Sequence, residues 1–159
     1  MHIREIQQKD DAALFQLVQQ SLAAAQLNIP GTAYFDESIK AMSQFYINQP
    51  QRKYFVLVDQ DDQVLGGAGF AEYNESSEVA EVQKLYLFDE AKGKGYSYKL
   101  MELVEQEAKK VGYKQLYLET HSNLPIAIIL YKKLGYTQIP AALPGTQHTT
   151  MDHFFVKKL

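Results

Sequence analysis

Residues 86 to 113 read YLFDEAKGKGYSYKLMELVEQEAKKVGY, a strand-like run that gives way to Lys92, Gly93, Lys94 and Gly95 and then to a helical repeat. Those residue types at such a junction can bind an anion. The first turn of a helix leaves backbone N–H groups without partners and carries the positive end of the helix dipole, and glycine removes the side chains that would hold a ligand off. Lys92 and Lys94 add fixed positive charge, and Ser97 adds a hydroxyl donor inside the first turn. A pyrophosphate fits this chemistry; on the residues alone, the junction also serves as a tight strand-to-helix turn. Two other phosphate signatures fail. A P-loop needs Gly-Lys followed by Ser or Thr, and no Lys-Ser or Lys-Thr follows a glycine here. The dinucleotide fingerprint needs a third glycine opening the helix, but residues 93 to 98 are Gly-Lys-Gly-Tyr-Ser-Tyr, and GGAGF at 66 to 70 lies inside a strand pattern.

Composition narrows the remaining chemistry. With no cysteine, disulfides, thiolate ligands and cysteine nucleophiles are excluded. The four histidines, His2, His121, His148 and His153, show no metal-ligand spacing, so no metal is expected. The net charge of −3 divides unevenly: residues 1 to 80 carry 5 Lys+Arg and 11 Asp+Glu, residues 81 to 159 carry 11 and 8. An acidic first half suits a cationic partner and a basic second half a phosphate-bearing one, while net acidity argues against nucleic acid. No apolar run approaches the roughly 20 residues of a membrane span. The opening MHIREIQQ reads as a polar strand, not a signal peptide, so a cytoplasmic location is expected.

At 159 residues and 46% hydrophobic content, the chain suits one domain, residues 1–159, with its own core. HIREI alternates as a short strand, and Asp10 and Asp11 precede Leu14, Leu17, Val18, Leu22 and Ala25 at helical spacing. Asp36 is placed to cap a second helix, with Ile39, Met42 and Tyr46 on one face and Pro50 as its stop. KYFVLVD and QVLGGAGFAEY form a hairpin, and EVAEVQKLYLF a further strand. From Gly95, the residues Tyr96, Leu100, Leu103, Val104, Ala108 and Val111 trace one helix face, closed by Gly112. KQLYLET is then a strand and LPIAIILYKKLG a helix, and the order strand, helix, strand, helix suggests a crossover with parallel pairing. YTQIP and DHFFVKKL are two last strands around the loop AALPGTQHTT.

In order and in motif the chain resembles the GCN5-related N-acetyltransferase (GNAT) superfamily, whose coenzyme A loop reads Gln/Arg, two residues, Gly, one residue, Gly/Ala. Here those positions are Lys92, Gly95 and Ser97. The resemblance extends from the two helices after the first strand through VLGGAGF and LYL to LYLETHSNLPIAIILYKKLGY. It implies an α/β fold (α+β by some schemes), with a mixed, mostly antiparallel twisted sheet of about seven strands whose fourth and fifth strands splay apart. The pantetheine arm of acetyl-CoA would lie in the cleft, with Leu85, Tyr86 and Leu87 beside the thioester and the pyrophosphate on Lys92, Gly93, Lys94, Gly95, Tyr96 and Ser97. Backbone N–H groups aimed at a developing oxyanion stabilise it without reorganising.

The resemblance also implies roles. Tyr131 matches the tyrosine that protonates the departing thiolate. Glu81, four residues before Leu85, matches a glutamate that deprotonates the amine, directly or through water, and strand alternation puts Glu81, Gln83 and Leu85 on one face unless a bulge intervenes. Glu119 is an alternative base. The family's pantetheine-binding asparagine falls at Leu124, with Asn123 one place earlier, where it either substitutes by a small shift or caps the helix. Tyr34, Phe35 and His148 are the acceptor-side candidates, with Asp36 and Glu37 alongside. The implied activity is transfer of acetyl from acetyl-CoA to a primary amine of a small molecule or peptide in a ternary complex. A non-catalytic coenzyme A or acyl-CoA sensor is the alternative, and a homodimer is compatible with either.

Overall fold

The computed structural model describes residues 1–159. Strand β1 (His2–Glu5) leads into helix α1 (Asp11–Ala24) and the short helix α2 (Met42–Tyr46). Strands β2 (Lys53–Val58), β3 (Val64–Glu72) and β4 (Val79–Leu87) follow. Helix α3 (Tyr96–Val111) then crosses to β5 (Gln115–Thr120), and helix α4 (Pro125–Lys133) precedes β6 (Thr137–Ile139) and β7 (His153–Lys158). The seven strands form one sheet in the order β1-β2-β3-β4-β5-β7-β6, antiparallel throughout except for the parallel pair β4 and β5. No helix is long and apolar enough to cross a membrane.

Alternation along the strands feeds an apolar layer on each face. Phe55, Phe70, Leu116 and Phe155 meet Leu100, Met101 and Val104 of α3 and Leu130 of α4. Tyr54, Val56 and Val58 meet Leu14, Leu17 and Val18 of α1 and Met42 of α2. Each such leucine, valine or phenylalanine taken out of water contributes about 1.5–3 kcal/mol. On α3 the buried stripe is Leu100, Met101, Val104 and Ala108; Val111, expected on it, is exposed at the helix end.

The second helix departs from its expected form. Two 3₁₀ turns, Ala33–Phe35 and Glu37–Ala41, precede α2, and the chain breaks at Ala41 (φ −143°, ψ 57°). Asp36 caps nothing, because its carboxylate accepts from His148 instead. The start of α2 is served by Asp11, which accepts the Ser43 N–H at 2.8 Å and the Ser43 hydroxyl at 2.7 Å.

Pairing between β4 and β5 extends only over Val79–Gln115, Ala80–Leu116 and Glu81–Tyr117. Beyond that point β5 stays with β7 while β4 stays with β3, so the two strands part and leave a cleft. A bulge sharpens the parting. Gly67 pairs Tyr86 and Gly69 pairs Gln83, so Ala68 alone opposes Lys84 and Leu85. Lys84 takes φ +51°, a conformation uncommon for a residue with a side chain. The bulge overturns the expectation that Glu81 and Leu85 share a face. Leu85 packs with the α3 and α4 layer, and Tyr86 with the α1 layer.

Candidate active site

The β3 glycines set the bulge. A Cβ on Gly67 would lie 2.6 Å from Tyr54 Cε1, and one on Gly69 would lie 2.5 Å from Tyr54 Cδ2. Their absence lets the Tyr54 ring cross β3, and its hydroxyl donates to the Lys84 carbonyl at 2.7 Å. The carbonyl freed by the bulge is thereby satisfied from inside the protein.

The cleft opened here is lined on one side by Val82, Leu85 and Tyr86 and on the other by Leu118, Leu124, Ala127 and Tyr131. Tyr131 is only 7% exposed, yet no protein group hydrogen-bonds its hydroxyl. Burial, with a smaller contribution from Tyr86, raises its phenol well above the usual tyrosine range, so it stays protonated at neutral pH. Tyr86 is pushed up to about 12, chiefly by burial.

Beyond the end of β4, the loop before α3 is exposed from Lys92 to Gly95. Gly93 (φ +71°) and Gly95 (φ +79°) are left-handed, and a Cβ on either would meet nothing within 4 Å. The N–H groups of Gly93, Lys94, Gly95, Tyr96, Ser97 and Tyr98 have no partner in the protein, and α3 has no side-chain cap. Lys92 pairs with Asp89 at 2.6 Å in solvent, and Lys94 donates to the Glu90 carbonyl at 2.7 Å. Both lysines are therefore engaged within the loop, and the backbone amides are the donors left unpaired there.

Glu81, Glu119 and His148 also line the cleft and converge, with carboxylate and imidazole atoms within 4.8 Å of one another. Glu119 accepts from the Tyr117 and Thr146 hydroxyls, each at 2.8 Å. His148 Nε2 bonds Asp36 Oδ2 at 2.9 Å, which raises the histidine pKa and lowers that of the aspartate. Burial, and secondly the Glu119 charge, raises Glu81 above the usual glutamate range. These bonds roof the site with residues 141–150: the Tyr73 hydroxyl donates to the Leu143 carbonyl at 3.0 Å, and the Leu143 N–H donates to the Tyr117 hydroxyl at 3.2 Å.

The sequence-derived residues thus divide. Leu85, Tyr86, Tyr131, Glu81 and His148 meet around the cleft, while Gly93 to Ser97 stand at the start of α3. Leu87 packs under the α3 and α4 layer. Tyr34 is half-buried against the α1 layer and Phe35 is 59% exposed; neither lines the cleft. Asn123 does not cap α4. Its amide donates to the Ala25 carbonyl at 2.9 Å, tying the loop to the end of α1, and Leu124 faces the cleft. Nothing in the sequence marks Lys84 or Tyr117 as residues of the cleft or its surroundings. Only the Gly-rich VLGGAGF run, as a site of close backbone approach, hinted that β4 would bulge beside it.

A mixed seven-stranded sheet that opens between its only parallel pair, beside an amide-rich helix start, is the architecture of an acetyltransferase. The sequence matches the acetyltransferase (GNAT) family over residues 16–136, and the chain belongs to that family. It is 32% identical over 159 residues to the uncharacterized N-acetyltransferase YjgM of Escherichia coli (strain K12), covering 99% of this chain and 94% of that protein. An acetyltransferase of the GNAT family from Staphylococcus aureus Mu50 shares the fold with a TM-score of 0.83 at 16% identity, over 99% of this chain and 98% of that one. The PaiA N-acetyltransferase of Thermoplasma acidophilum, solved with coenzyme A, shares it with a TM-score of 0.74 at 20% identity, over 99% and 98%.

Proposed function

We propose that this protein transfers the acetyl group of acetyl-CoA to a primary amine of a small molecule or peptide, by direct attack within a ternary complex. The observation that carries this reading is Tyr131, a buried, protonated phenol whose hydroxyl bonds nothing in the protein and lines the cleft where β4 and β5 part. Six unpartnered amides from Gly93 to Tyr98, under open space at Gly93 and Gly95, fit the pyrophosphate of the cosubstrate. Acetyl-CoA supplies an activated acyl carbon, so that a carbon–nitrogen bond forms as the carbon–sulfur bond breaks.

The chain's own groups then handle protons. An incoming ammonium must lose a proton before it can attack, and Glu81, with its pKa raised toward neutrality, is the acceptor best matched to that task. Tyr131 donates a proton to the departing sulfur and is reprotonated by the proton that the attacking nitrogen sheds as the amide forms. Glu119 holds its position through Tyr117 and Thr146, and its charge adds to the burial that raises the affinity of Glu81 for a proton. With no cysteine in the chain, no thiol is available to carry the acetyl group, which favours direct transfer.

The test is steady-state release of coenzyme A thiol with acetyl-CoA and a panel of amines, varying both substrates. Amine-dependent release with intersecting double-reciprocal lines is expected. Parallel lines would overturn the ternary complex, and release with no amine of the panel would overturn the activity.

A further inference from the structure

Resting on the acetyltransferase reading, we propose that Lys84 binds an acidic group of the acceptor, and that the acceptor is a zwitterion of the amino-acid type, an amine carrying a carboxylate.

The geometry of β4 carries this. Plain alternation from Val82 would send Lys84 into the apolar layer under α3 and α4, where a charge has no partner. The bulge turns it instead to the face of Glu81, and its charge falls within electrostatic reach of Asp36, Glu81 and His148. Three features hold it there: the left-handed backbone at Lys84 itself, the Tyr54 hydroxyl on its carbonyl, and the β3 glycines that let Tyr54 cross. Bulges beside active sites re-aim a side chain, and backbone strain persists only where surrounding contacts impose it.

Lys84 is the cation of this site left without a partner. Arg52 is paired with Glu72, and His148 with Asp36 at 2.9 Å. Lys84 is half-buried and its ammonium forms no hydrogen bond and no ion pair, although the residue lines both the cleft and a groove shared with Asp36 and Glu119. Burial lowers its pKa, and the charges of Asp36 and Glu81 offset that desolvation only in part. A ligand carboxylate supplies what is missing. Glu81 and Glu119, on the same face, suit the ligand's ammonium. An acceptor with one group of each sign satisfies both ends. A polyamine would set further cations against Lys84, and a doubly charged phosphate would be set against Glu81 and Asp36.

The test compares kcat/KM, with acetyl-CoA saturating, for amino acids, for the same compounds decarboxylated or methyl-esterified, and for polyamines. The amino acids are expected to exceed their decarboxylated counterparts by about 10- to 100-fold, mainly through KM. In Lys84→Met that ratio should collapse toward unity, and Lys84→Arg should restore most of it. Because both compounds are measured on the same variant, a general loss of stability does not mimic the result. Equal turnover of amino acids and decarboxylated amines, or preference for polyamines, would overturn the acceptor class while leaving the acetyltransferase reading intact. A preference for amino acids that survives in Lys84→Met would overturn the role of Lys84, and failure to acetylate any amine would overturn both.

Discussion

The Tyr54 hydroxyl crosses strand β3 to bond the Lys84 carbonyl in β4 at 2.7 Å, so a core aromatic on one strand holds the bulge that opens the cleft two strands away. Removing that hydroxyl in Tyr54→Phe should cost about 1 kcal/mol of stability, measured by urea unfolding. It should also raise KM for the amine, because the bulge loses its anchor. A stability loss with unaltered kinetics would mean that the bulge is held by the strands alone. Gly67→Ala attacks the same contact from beneath: its Cβ would press on the Tyr54 ring, and a loss of about 1–3 kcal/mol is expected.

Tyr131→Phe removes a hydroxyl that bonds nothing in the protein, so the fold should lose about 0.5 kcal/mol or less. The rate should fall by about 10²- to 10⁴-fold, with acetyl-CoA affinity retained. Thermal unfolding, calorimetry and turnover on the same preparation separate these effects. Full activity in Tyr131→Phe would exclude it as the proton donor.

The pH dependence follows from Glu81. Its pKa is raised above 4.5 by burial and by Glu119, and the base works only when ionised, so kcat/KM should climb with pH through a midpoint above the ordinary glutamate value. Glu119→Gln removes the like charge and should move that limb to lower pH. A limb that stays put in Glu119→Gln, or persists in Glu81→Gln, would assign the titration to another group.

The Asp36–His148 pair joins residues 112 positions apart and fastens the loop before β7 over the site. The His148 pKa is raised, so its contribution to stability is present below about 6.5 and is lost as pH rises through the folded-state value. The Asp36 pKa is lowered, so its contribution is present above 3.8 and is lost as pH falls through the folded-state value. Both side chains are about one-third exposed, and solvent screening limits the pair to roughly 1 kcal/mol or less. Asp36→Asn should therefore shift the His148 titration, followed by NMR, toward lower pH; an unmoved midpoint would mean that the two do not interact in solution.

What the sequence made legible was local. The glycine and lysine run before α3 announces an amide-rich helix start because the residues that matter are neighbours, and the strand and helix order followed from periodicity. The acceptor side is assembled from afar. Glu119 meets Thr146, and His148 meets Asp36, only because residues 141–150 fold back over the sheet. Nothing in QKLY marks Lys84 as the residue that takes a positive φ, since lysine carries no preference for it, and simple alternation then misassigns the face of Leu85. Asp36 has the composition of a helix cap, but a tertiary partner outbids the local one.

Coenzyme binding at the start of α3 is tested by calorimetric titration of acetyl-CoA into the protein and into Gly95→Ala and Gly95→Glu. Both substitutions place a side chain at φ +79° over open space, so they share the backbone strain, and only the second sets a carboxylate against the unpaired amides. Micromolar binding is expected for the unaltered protein, with binding retained in Gly95→Ala and abolished in Gly95→Glu. No binding to the unaltered protein, or equal affinity in all three, would contradict coenzyme binding there.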